Sequence, residues 1–256
     1  MWIIDLRKKR TWLLLLLALV LLLGPVVLAA YYGNQLLGAV ASGPRLLPIY
    51  EVATERQAIA ISFDASWGAE HTENILDTLD DYGIQTTFFL VNIWVQDYPE
   101  LAAEIAKRGH EIGLHSVSHP HFSELSTEQM QTELRENFRL IQETTGTSPR
   151  LFRPPFGDYN TQVIQTSEEL GFQPIQWSVD SLDWKDLSAD EICNRVLQDL
   201  HAGDIVLFHN NGKHTAEALP RIIAACQEKG LDIVPVSELL LDGETYIDAN
   251  GVQRKK

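Results

Sequence analysis

The sequence predicts an α/β fold built on a parallel sheet. Three observations carry that expectation: short apolar strand patterns at intervals, helical patterns between them, and glycines where the helices stop. Seven segments read as strands: AIAISF (58–63), TTFFLV (86–91), HEIGLH (110–115), RLFR (150–153), QPIQWS (173–178), DIVLFH (204–209) and LDIVPV (231–236). Helical periodicity fills the gaps, as in ENILDTLDDY, PELAAEIAKR, TEQMQTELRENFRLIQETT and AEALPRIIAACQEK. The third of these helices starts at a capping box, Ser126 followed by Gln129. Gly83, Gly109, Gly146, Gly171, Gly203 and Gly230 each follow a helical stretch and precede a strand. Glycine suits that position because a left-handed backbone has no room for a Cβ. Serial β-α units imply crossover connections and hence parallel strands. Such a sheet closes into a barrel or stays open and doubly wound; the length suits about seven units, short of an eightfold barrel.

Ahead of this rhythm lies a different kind of sequence. Residues 11–32, TWLLLLLALVLLLGPVVLAAYY, carry no charge, and 22 residues suffice for a helix to cross a bilayer. Arg7, Lys8, Lys9 and Arg10 precede the run, which keeps the amino terminus cytoplasmic by the positive-inside rule. A cleaved signal peptide ending near Val27-Leu28-Ala29 is the alternative, but the apolar run exceeds a usual signal core. The expected organisation is therefore a cytoplasmic stub and transmembrane anchor (1–32) and a linker (33–57). A globular domain (58–243) and a tail (244–256) follow, both outside the cytoplasm.

Charge follows the same division. Thirty-five acidic side chains against 20 basic ones leave −15, but residues 1–45 hold five basic groups against Asp5. That end is +4 and the remainder −19. So acidic a domain is no nucleic-acid binder, since phosphate contacts need clustered Lys and Arg. It also disfavours anionic wall polymers and suits near-neutral sugar chains. Two cysteines, Cys193 and Cys226, exclude a disulfide scaffold and a cysteine zinc finger, and both fall in helical patterns as buried thiols.

In α/β folds the chemistry collects at the carboxyl ends of the strands. Those ends carry Asp64, then His115 and His119, then Arg153, then Asp180 and Asp183, and last His209. Any one of them has an ordinary explanation, such as a helix cap for Asp64 or a solvated loop for the histidines. Together they make one polar rim. Two imidazoles four apart just past a strand can converge on a cation, and neutral imidazole suits zinc. Arg153, before two prolines, is the natural partner for a carboxylate. Trp177 and Trp184 beside Asp180 and Asp183 resemble the aromatics of sugar sites. His209 closes a buried strand and can serve as a general acid.

The five segments FDASWG, LHSVSHPHF, FRPPFGDYN, WSVDSLDWKD and IVLFHNN, in that order, resemble the five motifs of the polysaccharide deacetylases, the NodB-homology carbohydrate esterases. The resemblance runs from about Ala58 to Leu241, and FDASWG behind a short anchor is most similar to the sporulation-associated, PdaB-like branch. It implies a distorted (β/α)7-type barrel that removes N-acetyl groups from glycans such as peptidoglycan. It further implies a divalent metal, zinc, on His115 and His119, with Asp64 as the base and Arg153 as its partner. Asp183 would tune His209, the acid. The Phe156 N–H would face the oxyanion, Trp184 and Leu207 would line the acetyl pocket, and Asp180 would meet substrate. Two positions depart from the family pattern: Ala65 stands where a metal-binding Asp is usual, and Asn210 where the fifth motif has Asp. Ala65 makes a second outcome possible, a glycan-binding protein without turnover. Asp180 and Asp183 as a glycosidase pair are disfavoured, because carboxyls three apart on one turn do not flank a sugar.

Overall fold

The computed structural model describes residues 45–256, together with Val20, Leu21 and 23–25, which are helical. The rest of the expected membrane anchor and the linker up to residue 44 lie outside the described residues. Among the described residues no helix is long and apolar enough to cross a membrane.

The strands are β1 (Glu51–Val52), β2 (Ala58–Ala65), β3 (Thr87–Leu90), β4 (Glu111–Leu114), β5 (Leu151–Phe152), β6 (Gln173–Pro174), β7 (Val179–Asp180), β8 (Ile205–His209), β9 (Asp232–Val234), β10 (Thr245–Ile247) and β11 (Val252–Lys255). Each of the seven strands expected from the sequence is present, most of them shortened. The large sheet runs β6-β5-β4-β3-β2-β8-β7, with β9 pairing the start of β2, and its pairs are parallel. All eight residues of β2 are buried, as expected of a strand covered on both faces. Ile59, Ile61 and Phe63 pack with the surrounding helices, whereas Ala58 and Ala60 belong to a second cluster with Phe89, Ile175 and Ile205. The two-residue period of a strand puts Asp64 on the same face as Ala58 and Ala60. Register then sets the rim: Asp64 lies opposite His209 on one neighbour and Phe89 on the other, while Leu114 is level with Phe152.

β6 and β7 end the strand order and do not pair, so hydrogen bonding does not close the barrel there. The gap is crossed by the lead-in segment. Ile49 bridges Ile175, and Glu51 bridges Asp204. Part of the stretch expected as linker is thus built into the fold, with Ile49 and Val52 fully buried. The tail is likewise folded, as β10 and β11 pair with each other and β11 with β1. The physical reason lies in the sequence LPIYEV (47–52): its apolar side chains leave water once an open sheet edge accepts the backbone.

All six glycines read as helix stops have positive φ. The capping box on the helix Thr127–Thr145 is formed in both directions. Gly203 is the most constrained stop: at φ +97° an added Cβ would meet the Val52 carbonyl oxygen at 2.0 Å, whereas at Gly146 (φ +73°) nothing lies within 4 Å. Gly146→Ala is expected to cost about 1 kcal/mol in urea unfolding, from backbone strain alone. Gly203→Ala should cost at least twice as much. Equal losses would show that the lead-in does not seat against Gly203.

Candidate active site

Asp64 is the last residue but one of β2, with only 6% of its surface exposed. Arg153, just after β5 and fully buried, donates from Nη1 to Asp64 Oδ1 at 2.8 Å and from Nη2 to the Gln176 carbonyl at 3.1 Å. Its guanidinium carbon lies 4.1 Å from the centre of the Phe89 ring. Burial by itself would raise the Asp64 pKa, but the charge of Arg153, with smaller contributions from His115 and His209, holds it below the usual carboxylate range. Asp64 is therefore a carboxylate at neutral pH.

Arg153 also orients a histidine through its backbone. His115 Nδ1 lies 2.7 Å from the Arg153 carbonyl oxygen, which can only accept, so the ring proton sits on Nδ1. Its bare Nε2 faces Asp64 Oδ2 at 3.5 Å. Burial lowers the pKa of His115 and pushes that of His119 down to about 3, helped there by the neighbouring His115. Both rings are neutral, with centres 5.0 Å apart.

The loop that carries them is pinned from the helix Thr127–Thr145. Asn137 Oδ1 accepts from the backbone N–H of His115 and of Ser116 at 2.9 and 3.0 Å. One turn away, Glu133 accepts from the N–H of Val117 and Ser118 and from the Ser118 hydroxyl. These bonds hold Ser116 and His119 at positive φ, 80° and 56°, which non-glycine residues seldom adopt. Asn137 and Glu133 are support residues that the motif reading missed. Only the periodicity of their helix was visible in the sequence.

On the other side, His209 Nδ1 donates to Asp183 Oδ1 at 2.8 Å. Asp183 Oδ2 accepts from the His209 N–H and from the Thr215 hydroxyl, at 2.8 and 2.7 Å. Burial alone would depress His209; the bond to Asp183 and its charge, with Asp64 adding, raise its pKa above the ordinary value. Asp183 is thus fully engaged, which removes it from any glycosidase pair with Asp180. Asn210, in the position usually held by Asp, donates to the Gly68 carbonyl at 2.8 Å and to Thr72 Oγ1 at 3.0 Å.

These groups surround a pocket of ≈ 470 Å³ lined by Asp64, Ser66, Trp67, His115, His119, Phe156, Trp177, Asp180, Trp184, Leu207, His209 and Asn211. Nine of the eleven residues singled out from the sequence line it, and Arg153 and Asp183 stand directly behind Asp64 and His209. Phe156 sits at φ 59°, a strained conformation for a bulky residue, with its ring exposed. Trp67, Asn211 and Ser66 were not anticipated.

With this geometry, a family comparison is decisive. A profile described as "Polysaccharide deacetylase" matches residues 51–175. A peptidoglycan-N-acetylglucosamine deacetylase of Bacillus cereus is 35% identical over 196 residues, covering 75% of this chain and 92% of the relative. The chain belongs to the polysaccharide deacetylase family. Uncharacterized protein YlxY of Bacillus subtilis is also 35% identical over 193 residues, and there this chain spans 60% of the relative's length. Among solved structures, BA3943 of Bacillus anthracis superposes with a TM-score of 0.73 at 31% identity, covering 75% of this chain and 68% of BA3943. BA3943 is described as a CE4 family pseudoenzyme, and a mutant of it as having restored enzymatic activity.

A divalent metal is implied by this polysaccharide deacetylase membership, and the rim donors can be tested against it. Two neutral imidazoles are donors that suit a divalent cation, and the Asp64 carboxylate, with Oδ2 3.5 Å from His115 Nε2, supplies negative charge beside them. The donor chemistry therefore fits a cation, with His119 as the member that stands off. Among the described residues only Glu51, His201 and Asp204 bring three donor atoms within 4.8 Å of one another. That group lies by the start of β8, whereas His209 ends the strand at the rim. Ala65 offers no help, being fully buried in the helix-facing cluster.

The Asp183–His209 pair yields a pH test. Because His209 is raised in the folded protein, its pairing stabilises the fold fully below about pH 6.5 and fades as pH climbs through the folded value. Asp183→Asn is expected to move the His209 midpoint downward in an NMR imidazole titration. An unmoved midpoint would show that Asp183 does not set it.

Proposed function

We propose that this chain hydrolyses the N-acetyl groups of amino-sugar glycans, peptidoglycan first among them. In this reading the domain is held on the outer face of the cell membrane by an uncleaved helix over residues 11–32. The carrying observation is that one pocket presents Asp64, held at Oδ1 by Arg153, opposite His209, held at Nδ1 by Asp183, with surroundings that lower the pKa of the carboxyl and raise that of the imidazole. Pairs of titratable groups pushed apart in this way divide base and acid roles between them. Amide hydrolysis needs both, because the amine is a poor leaving group until it is protonated.

The steps follow from where the side chains sit. An acetamido group enters with its methyl against Leu207 and Trp184, and Asp180 at the pocket wall accepts from a sugar hydroxyl. Asp64 Oδ2 takes a proton from the attacking water while Arg153 keeps Oδ1 occupied and the carboxylate in place. The Phe156 N–H stabilises negative charge on the carbonyl oxygen. His209 Nε2 protonates the nitrogen, the C–N bond breaks, and acetate and a free amino sugar leave. A divalent cation on His115 and His119, zinc by its preference for imidazole, would supply Lewis acidity toward the acetyl carbonyl. FDASWG supports a place in the sporulation-associated branch.

The test is acetate release from N-acetylglucosamine oligomers and peptidoglycan by the full chain, with zinc or cobalt added. Asp64→Asn and His209→Ala are each expected to lower it by about 10²–10⁴-fold. Release that survives both substitutions would overturn the proposal. Ala65 and the likeness to BA3943 favour a second reading, a wall protein that binds glycan without turning it over. Glycan binding with neither acetate release nor stoichiometric metal would establish that one instead.

A further inference from the structure

Trp67 is a pocket residue to which neither the rim chemistry nor the motif comparison gives a role. It is 55% exposed, a costly placement for an indole, and it keeps company with two other large exposed rings on the same pocket, Phe156 at 58% and Trp184 at 56%. Its ring centre is 4.7 Å from that of His119, and His119 is 4.4 Å from Phe156. The rings of Phe156 and His121 then stack at 4.4 Å. A continuous aromatic strip thus leads from the pocket wall outward along the surface.

The backbone beside Trp67 is fixed rather than free to collapse. The neighbouring Gly68 carbonyl accepts from Trp94 Nε1 at 2.7 Å and from Asn210 Nδ2 at 2.8 Å. Gly68 itself turns at φ +65°, and a Cβ there would meet Glu70 Oε2 at 2.7 Å. Two long-range hydrogen bonds hold this loop open with its indole in water. An exposed apolar surface held in place beside a polar pocket marks a binding surface. The ligand it fits has an apolar face and a hydroxylated edge, which is the shape of a pyranose ring.

We propose that Trp67 is a specificity-determining residue, a platform on which a second sugar of the glycan stacks while its neighbour presents the acetamido group to the pocket. This rests on the glycan reading above and adds a preference for chains over single sugars. Asn210 and Trp94 are positioning residues for the platform, which gives the departure at Asn210 a role of its own.

The experiment is calorimetric binding of N-acetylglucosamine and of its tetramer to the full chain, wild type against Trp67→Ala and Trp67→Phe, with acetate release measured alongside. Trp67→Ala is expected to weaken the tetramer about tenfold, to leave the single sugar unchanged, and to be largely rescued by Trp67→Phe. Circular dichroism and thermal unfolding should match wild type, because the indole is largely solvent-facing. Tetramer affinity unchanged in Trp67→Ala would overturn this inference while leaving the glycan reading intact. Equal weakening of monomer and tetramer would also overturn it, placing Trp67 in the acetyl pocket. A wild-type chain that binds neither sugar and releases no acetate would overturn both.

Discussion

The buried ion pair between Arg153 and Asp64 is the constraint on which the site depends. A guanidinium with no access to water requires a counter-charge. It finds one in Asp64 Oδ1, with a further hydrogen bond to the Gln176 carbonyl and the face of Phe89 beside it, while its Nε has no hydrogen-bond partner among the described residues. Those partners come from β2, from the segment after β6, and from β3, so the pair ties three strands at one level. Removing either charge would strand the other, at a cost of about 3–5 kcal/mol. The same residue favours the ionised form of Asp64 through its side chain and fixes the tautomer of His115 through its carbonyl.

Across the pocket the environment is inverted. Asp183 is buried and directs both carboxylate oxygens inward, to the His209 ring, its N–H and the Thr215 hydroxyl. The arginine beside Asp64 favours the charged carboxylate, and the carboxylate beside His209 favours the charged imidazole. A fold with parallel strands makes this economical, because register alone places Asp64 level with His209. What the rim lacks is a second carboxylate on the cation side, where Ala65 turns its methyl into the helix-facing core. The Arg153–Asp64 and Asp183–His209 pairs are complete, and the donor set around His115 and His119 is lean.

The sequence made the repeating architecture legible because its signals are local. Apolar runs, the Ser126 capping box and the glycine stops are read within a few residues, and the structure forms all of them. The rim residues were legible for a related reason, since each lies near or just past the carboxyl end of a strand. Supports acting at long range were not. Asn137 and Glu133 look like ordinary helix residues until the helix is packed beside the histidine loop. β7, two residues long, carries no periodicity, and the lead-in at Ile49 gains its place only from an open edge far along the chain. Trp67 was hidden in a motif whose aspartate drew the attention.

The most direct test of this arrangement is a crystal structure of the protein with an N-acetylglucosamine oligomer bound, since it reports on the pocket whether or not turnover is fast. The acetamido group should lie between Asp64 and His209, its methyl against Leu207 and Trp184, and its nitrogen within hydrogen-bonding reach of His209 Nε2. An oligomer bound elsewhere, or one whose acetamido group points to solvent, would contradict the assignment of these residues as an amide-hydrolysing site.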